Sequence, residues 1–313
     1  MSDPTALSRF LARERPGVTA ISVLPRADWQ DRWDDIIVNP EIKTDLLSFA
    51  LFCLNRRSIG SAVRLPIHGV ALLAGPPGTG KTTLAHGIAN EAAKLLASTG
   101  RAEQTLFAVI DPHAFPKELL GESQRAVSRL FDETLPELAG AGMPLVVLID
   151  EIEALAVTRS LASLDTNPVD VHRATDAVLT GLDKLARAHS NTVLLATTNA
   201  IESLDSAFVS RVDVIERFPM PERPALAAIL RGTLAELGVS VNGGAADLDE
   251  LAGGYATLGL DARQVRKLAL RAVLRQGTEF VLSPHELALA DLLPQLRAAT
   301  AVDGATTLAT TLR

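Results

Sequence analysis

The chain has 313 residues, 47% of them hydrophobic and only 4% aromatic, enough for one large domain and a smaller one around a core of Leu, Val, Ile and Ala. That composition favours helices packed on a parallel sheet and argues against an aromatic-rich β-sandwich. The net charge of -7 supplies no chain-wide counterion-release term, so nucleic acid is not expected as the main partner.

Residues 1–27 read as a polar, Pro-containing leader, partly disordered or lying on the surface. Its opening, MSDPTALSRFLARERPG, has no apolar stretch of signal-peptide length, and nothing later approaches a membrane span. A cytoplasmic protein without a membrane partner is expected. The lone cysteine, Cys53 in SFALFCL, excludes an intrachain disulfide and reads as core. Next, HGVALLAG predicts a buried strand, and KTTLAHGIANEAAKLL has helical periodicity. TLFAVID, PLVVLIDE, TVLLATTN and VDVIERF continue the series of strands, with GESQRAVSRLFDETL and VDVHRATDAVLTGLDKLARA as helices between them. Apolar strands separated by amphipathic helices predict an α/β fold with a doubly wound, parallel, five-stranded sheet. The prolines at 219, 221 and 224 mark a change of character, after which every segment reads as helical. The expected organisation is a leader (1–27), a large α/β domain (28–219), a helical lid (220–300) and a flexible tail (301–313). The six histidines lack metal-ligand spacing, so no zinc site is expected.

Gly75-Pro76-Pro77-Gly78-Thr79-Gly80-Lys81-Thr82 matches the phosphate-loop pattern in full, after a predicted buried strand and at the start of a predicted helix. Glycines let backbone N–H groups turn toward phosphates, and the helix presents its positive end to the same anion. Lys81 then reaches the β- and γ-phosphates of ATP, and the Thr82 hydroxyl ligates Mg2+. The strand LVVLI ends in Asp150 and Glu151, where ligands bind in open α/β sheets. Asp150 is expected to hold the metal and Glu151 to orient the attacking water. Asn199, ending TVLLATTN, is placed to hydrogen-bond the γ-phosphate or that water.

These three motifs in this order, followed by an all-helical segment, resemble the AAA+ ATPases. LDSAFVSRVD resembles that family's second region of homology, which implies that Arg211 is an arginine finger; GLDARQVRKL resembles the lid motif, which implies that Arg263 senses the γ-phosphate. The plainer alternatives for both are a surface salt bridge or helix solvation. The finger implies a ring, normally a hexamer, and the resemblance places adenine contacts near Ile36 and Ile37. LIDEIEALAVTR, AFVSRVD and WDDIIVNPEIKTDLLSFALFCL narrow the similarity to the pachytene-checkpoint and thyroid-receptor-interacting subfamily. That subfamily opens HORMA-domain proteins. With only the short leader in place of an N-terminal recognition domain, the chain resembles the bacterial members associated with anti-phage cyclic-oligonucleotide (CBASS) systems. The implied function is ATP-driven separation of a HORMA protein from its cyclic-oligonucleotide synthase, a nucleotidyltransferase. A first pore loop is expected at Leu119, Leu120 and Gly121, and a second within RSLASLDTNP. The alternative is an unfoldase or loader acting on another protein or on nucleic acid.

Overall fold

In the computed structural model the described residues are 4–56, 67–114, 122–156, 168–278 and 287–301. The first pore loop at Leu119, Leu120 and Gly121, nearly all of the second, and the tail beyond Ala301 lie outside them.

Six strands form one sheet: β1 (Val18–Leu24), β2 (Val70–Ala74), β3 (Thr105–Ile110), β4 (Leu145–Ile149), β5 (Thr192–Thr198) and β6 (Val214–Arg217). Their spatial order is β1-β3-β4-β5-β2-β6. The last five run parallel, which is the five-stranded doubly wound arrangement expected. The sixth strand is a correction. The leader supplies β1, antiparallel to β3, with Leu24 opposite Thr105, and also a helix, α1 (Pro4–Ala12). Its order has a physical cause. Arg15 is 6% exposed and donates to the carbonyls of Phe10 and Arg13 and to Glu137, at 2.9–3.0 Å. That buried guanidinium ties the leader to the body of the domain.

β2, β3, β4 and β5 are nearly continuous apolar runs because both faces of the sheet are covered. Alternate residues of one face, including Leu72, Ala108, Val147 and Ala196, pack with Val127 of α4 (Glu122–Arg129) and with Val178 and Leu182 of α5 (Pro168–Ala188). The other face, including Leu73, Phe107, Leu148 and Leu195, packs with Leu46 and Cys53 of α2 (Pro40–Leu54) and with Leu84 and Ile88 of α3 (Lys81–Ser98). Burying each such leucine contributes about 1.5–3 kcal/mol. Asn39 starts α2 by accepting from the Glu41 N–H at 3.0 Å, with Pro40 in the first turn. α4 continues into a π turn at Leu130–Thr134, just before Pro136. Proline has no N–H to continue the helical ladder, and the widened turn accommodates the gap.

The chain divides into two compact units: Met1–Gly75 with Lys81–Phe218, and Pro76–Gly80 with Pro219–Arg313. The second holds α6 (Arg223–Glu236), α7 (Ala245–Thr257), α8 (Ala262–Leu274) and α9 (Leu289–Ala301) around Leu230, Leu248, Val265 and Leu292. Tyr255, fully buried, donates to the Leu296 carbonyl at 3.1 Å. This unit is not wholly helical: a two-residue strand, Val239–Ser240, pairs with Leu287–Ala288. No described helix is long and apolar enough to cross a membrane.

Candidate nucleotide site

β2 ends at Ala74 and α3 begins at Lys81, so the glycine-rich segment is the whole connection between them. Two of its glycines are required sterically. A Cβ on Gly75 would land on the Phe218 carbonyl, and one on Gly78 would run into the Asp261 carboxylate. Gly78 also has φ 77, a left-handed conformation that side chains disfavour. Thr79 closes the turn by donating to the Pro76 carbonyl at 2.9 Å. Lys81 is 6% exposed and donates to the Gly75 carbonyl at 2.6 Å and to Asn199 Oδ1 at 3.0 Å.

The first turn of α3 is locked from behind. His86 Nδ1 donates to the Thr82 carbonyl at 2.8 Å, and its ring lies 5.1 Å from that of Trp29 and 5.0 Å from that of Phe107. Burial holds the His86 pKa below the ordinary value, which favours the neutral ring. The Arg32 guanidinium lies over the Trp29 ring, 4.4 Å from its centroid. Ile36 packs against the same core, whereas Ile37 is exposed.

The carboxylates at the end of β4 are organised by β5. Ile149 pairs with Ala196, so the next residues, Asp150 and Thr197, come side by side. Thr197 Oγ1 donates to Asp150 Oδ1 at 2.5 Å and accepts from the Glu151 N–H at 3.0 Å. Thr82 Oγ1 donates to the same Asp150 oxygen at 2.8 Å. Among the described residues Glu151 alone, glycine apart, has positive φ, at 56°. That left-handed backbone costs about 1–3 kcal/mol and is held by the Thr197 hydrogen bond. The Glu151 carboxylate accepts from Asn199 Nδ2 at 3.3 Å and from His113 Nε2 at 3.1 Å. Asn199 therefore bridges Lys81 and Glu151, and Glu153 fixes its backbone by accepting from its N–H at 3.0 Å.

Arg211 is elsewhere. Its neighbour Asp213 accepts backbone N–H groups from His68, Gly69 and Val70 at 2.7–3.2 Å, at the start of β2. Lys81 lies past the other end of that strand, about 16 Å away for five residues at ~3.3 Å each. Arg263 is exposed in the first turn of α8. Asp261 caps that helix by accepting from the Gln264 N–H at 2.8 Å, and its own N–H donates to the Gln264 side chain at 2.9 Å. The Asp261 carboxylate that meets Gly78 thus belongs to the turn carrying Arg263.

Residues 71–220 match the model of the ATPase family associated with various cellular activities (AAA). CD-NTase-associated protein 6 from Pseudomonas aeruginosa is 40% identical over 281 residues, which cover 88% of this chain and 90% of that protein. The chain belongs to the AAA family. The human pachytene checkpoint protein 2 homolog is 34% identical over 234 residues, 74% of this chain. Those residues span about half of the human protein, 53% of its length. Among solved structures, a chain of the E. coli MS115-1 HORMA:CdnC:Trip13 complex superposes with a TM-score of 0.69 at 20% identity, covering 90% of this chain and 95% of that one. At that identity the likeness speaks for the fold alone.

An AAA ATPase binds nucleotide and hydrolyses ATP, and the residues gathered here suit that chemistry. Lys81, Thr82, Asp150, Glu151 and Asn199 converge on one end of the sheet. The Thr82 hydroxyl and Asp150 carboxylate are adjacent hard oxygen donors, the set Mg2+ prefers. Sequence reasoning missed Thr197, His113 and Glu153. The polar end of TVLLATTN pointed to Thr197, because a threonine in a fully buried strand needs a hydrogen-bond partner. Nothing in the sequence pointed to His113.

Proposed function

We propose that this AAA ATPase uses ATP hydrolysis to open a HORMA-domain protein and so release it from a cyclic-oligonucleotide synthase, restraining anti-phage signalling. The observation that carries this reading is the 40% identity to a CD-NTase-associated protein along 90% of its length, together with an intact constellation for hydrolysis. The HORMA:CdnC:Trip13 assembly, a neighbour in fold alone, names the partner class to test. The ring is taken to be a cytoplasmic hexamer.

In this mechanism the N–H groups of Gly78, Thr79 and Gly80 and the Lys81 ammonium hold the β- and γ-phosphates. Gly75, Pro76 and Pro77 set the path of the loop. Mg2+, ligated by Thr82 and held by Asp150, would neutralise charge on the phosphate oxygens. Glu151 orients the attacking water, kept in place by the hydrogen bonds from Asn199 and His113. Asn199 also touches Lys81, so the presence of a γ-phosphate at the lysine alters the carboxylate's partners. Ile37, exposed beside Ile36, offers an apolar contact to adenine. Arg263 reaches the γ-phosphate from the lid. Arg211 lies beyond the reach of its own Lys81 and serves the neighbouring protomer's site. Leu119, Leu120 and Gly121 grip the substrate chain in the pore.

The test uses the full chain with a preformed complex of a HORMA protein and its synthase, followed by size exclusion with and without ATP. ATP-dependent release is expected from the wild type. It should be lost in Leu119→Ala with Leu120→Ala while basal hydrolysis stays within about three-fold, because those side chains would contribute ~1.5–3 kcal/mol each to gripping substrate and nothing to the phosphates. Release at the normal rate by the double variant would remove the pore assignment. Hydrolysis stimulated by DNA, without any effect on the HORMA complex, would overturn the proposed substrate.

A further inference from the structure

The Arg211 guanidinium is already oriented within its own protomer. Its Nε donates to Asp183 Oδ1 at 2.9 Å and its Nη2 to Asp183 Oδ2 at 3.0 Å, while Nη1 donates to the Ala207 carbonyl at 3.0 Å. Asp183 comes from α5, and the imidazole Nε2 of His68 lies 3.3 Å from its Oδ1. The backbone of His68 is in turn fixed by Asp213, two residues beyond Arg211. The side chains of Arg211 and Asp183 are 25% and 27% exposed, so the corner faces outward.

We propose that Asp183, backed by His68, is a positioning residue for Arg211, aiming the guanidinium of one protomer at the nucleotide of the next. This rests on the reading of Arg211 as a finger acting between protomers. A guanidinium has five N–H donors in a fixed plane. Three are engaged by Asp183 and Ala207, which leaves two in that fixed plane for an anion. Without the fork-to-fork pair the arginine would sample many rotamers, and charge stabilisation depends on donors that need no reorganisation at the moment of reaction. As a stabilising contact an ion pair this open to water is worth little, about 0–1 kcal/mol. Its bidentate geometry matters chiefly for aim. The guanidinium also holds the Asp183 pKa below the ordinary carboxylate value, which keeps the pair charged through the neutral range.

The experiment compares Asp183→Asn, Asp183→Glu and Arg211→Ala in the full chain. Steady-state kcat and KM for ATP are measured, with native mass on the same samples. Asparagine is isosteric but sets an amide N–H₂ or a single acceptor against the fork. Glutamate keeps the charge and displaces it by one methylene. Misplacements of that size cost up to about 100-fold in rate. Both Asp183 variants should form normal rings with KM within two-fold, and kcat should fall at least ten-fold. Each is then mixed with Lys81→Ala, which has a dead phosphate loop and an intact finger. Turnover should return, as it should for Arg211→Ala mixed with Lys81→Ala, because the supplied finger completes a sound neighbouring site.

Normal kcat in Asp183→Asn alongside a dead Arg211→Ala overturns the positioning role and leaves the finger standing. Restoration of Arg211→Ala but not of the Asp183 variants means that Asp183 acts inside its own site, and the proposal fails. Full turnover in Arg211→Ala, or no restoration of it by Lys81→Ala, refutes the finger reading beneath. Loss of rings in both Asp183 variants makes the pair purely structural and also overturns the proposal.

Discussion

Thr197→Val isolates the tether between the two carboxylates of the site. Thr197 is 1% exposed, and valine fills the same space, so no cavity confounds the result. The substitution removes the hydroxyl that donates to Asp150 at 2.5 Å and accepts from the Glu151 N–H at 3.0 Å. A hydrogen bond to a charged carboxylate contributes about 1.5–3 kcal/mol, and an N–H left without its partner costs about 1–3 kcal/mol. The added buried methyl returns ~0.8 kcal/mol. The expected net loss is about 2–5 kcal/mol of stability, read as a lower urea midpoint at unchanged slope. Activity should suffer more. Glu151 holds a φ of 56° that costs about 1–3 kcal/mol. Released from Thr197, the backbone can relax and carry the carboxylate off the water it is proposed to orient. A displacement near 1 Å lowers kcat by up to about 100-fold. Thr197→Ser keeps the hydroxyl and should retain most of the activity. If Thr197→Val matches wild type in both urea midpoint and kcat, the tether does not hold the site and the strain at Glu151 is supported elsewhere.

Three further outcomes follow from the same geometry. Glu151→Gln should bind ATP about as tightly as wild type, yet hydrolyse it about 10²–10⁴-fold more slowly through loss of the carboxylate base; single-turnover kinetics on the isolated variant would reveal a misassignment. Gly78→Ala should lose nucleotide affinity, read by calorimetry, because its Cβ meets the Asp261 carboxylate and its φ of 77 is left-handed; unchanged affinity would remove the steric argument. Burial pushes the Cys53 thiol up to about 12 from its ordinary 9.0, so the native thiol stays protonated while the unfolded one ionises above pH 9. Folding stability should therefore fall as pH rises from about 9 toward 12, by at most ~1.4 kcal/mol per pH unit from this group. Comparing urea midpoints of wild type and Cys53→Ala across that window isolates the effect, and parallel curves would contradict it.

The parallel strands were legible because a strand covered on both faces has little choice but to be apolar throughout, as VALLA and LVVLI are. β1 was not. VTAISVL is an edge strand, mostly half-buried or exposed, and its place depends on a partner strand more than 80 residues later and on Arg15 meeting Glu137. The phosphate loop, Asp150, Glu151 and Asn199 stand out in the sequence as candidates because phosphate chemistry fixes residue type and spacing locally, and the structure brings Lys81, Thr82, Asp150, Glu151 and Asn199 together. Thr197, His113 and Asp183 are brought to their partners by register and packing between elements distant in sequence, which no local pattern encodes. Arg211 shows how the two kinds of information combine. From sequence, a finger and a surface salt bridge were alternatives. The geometry makes them compatible: the pair with Asp183 engages three N–H groups and leaves two. Asp213 pins the segment to the start of β2, a strand's length from the protomer's own Lys81. If Arg211 serves a phosphate at all, that phosphate belongs to another protomer, and the salt bridge holds the arginine in position for it.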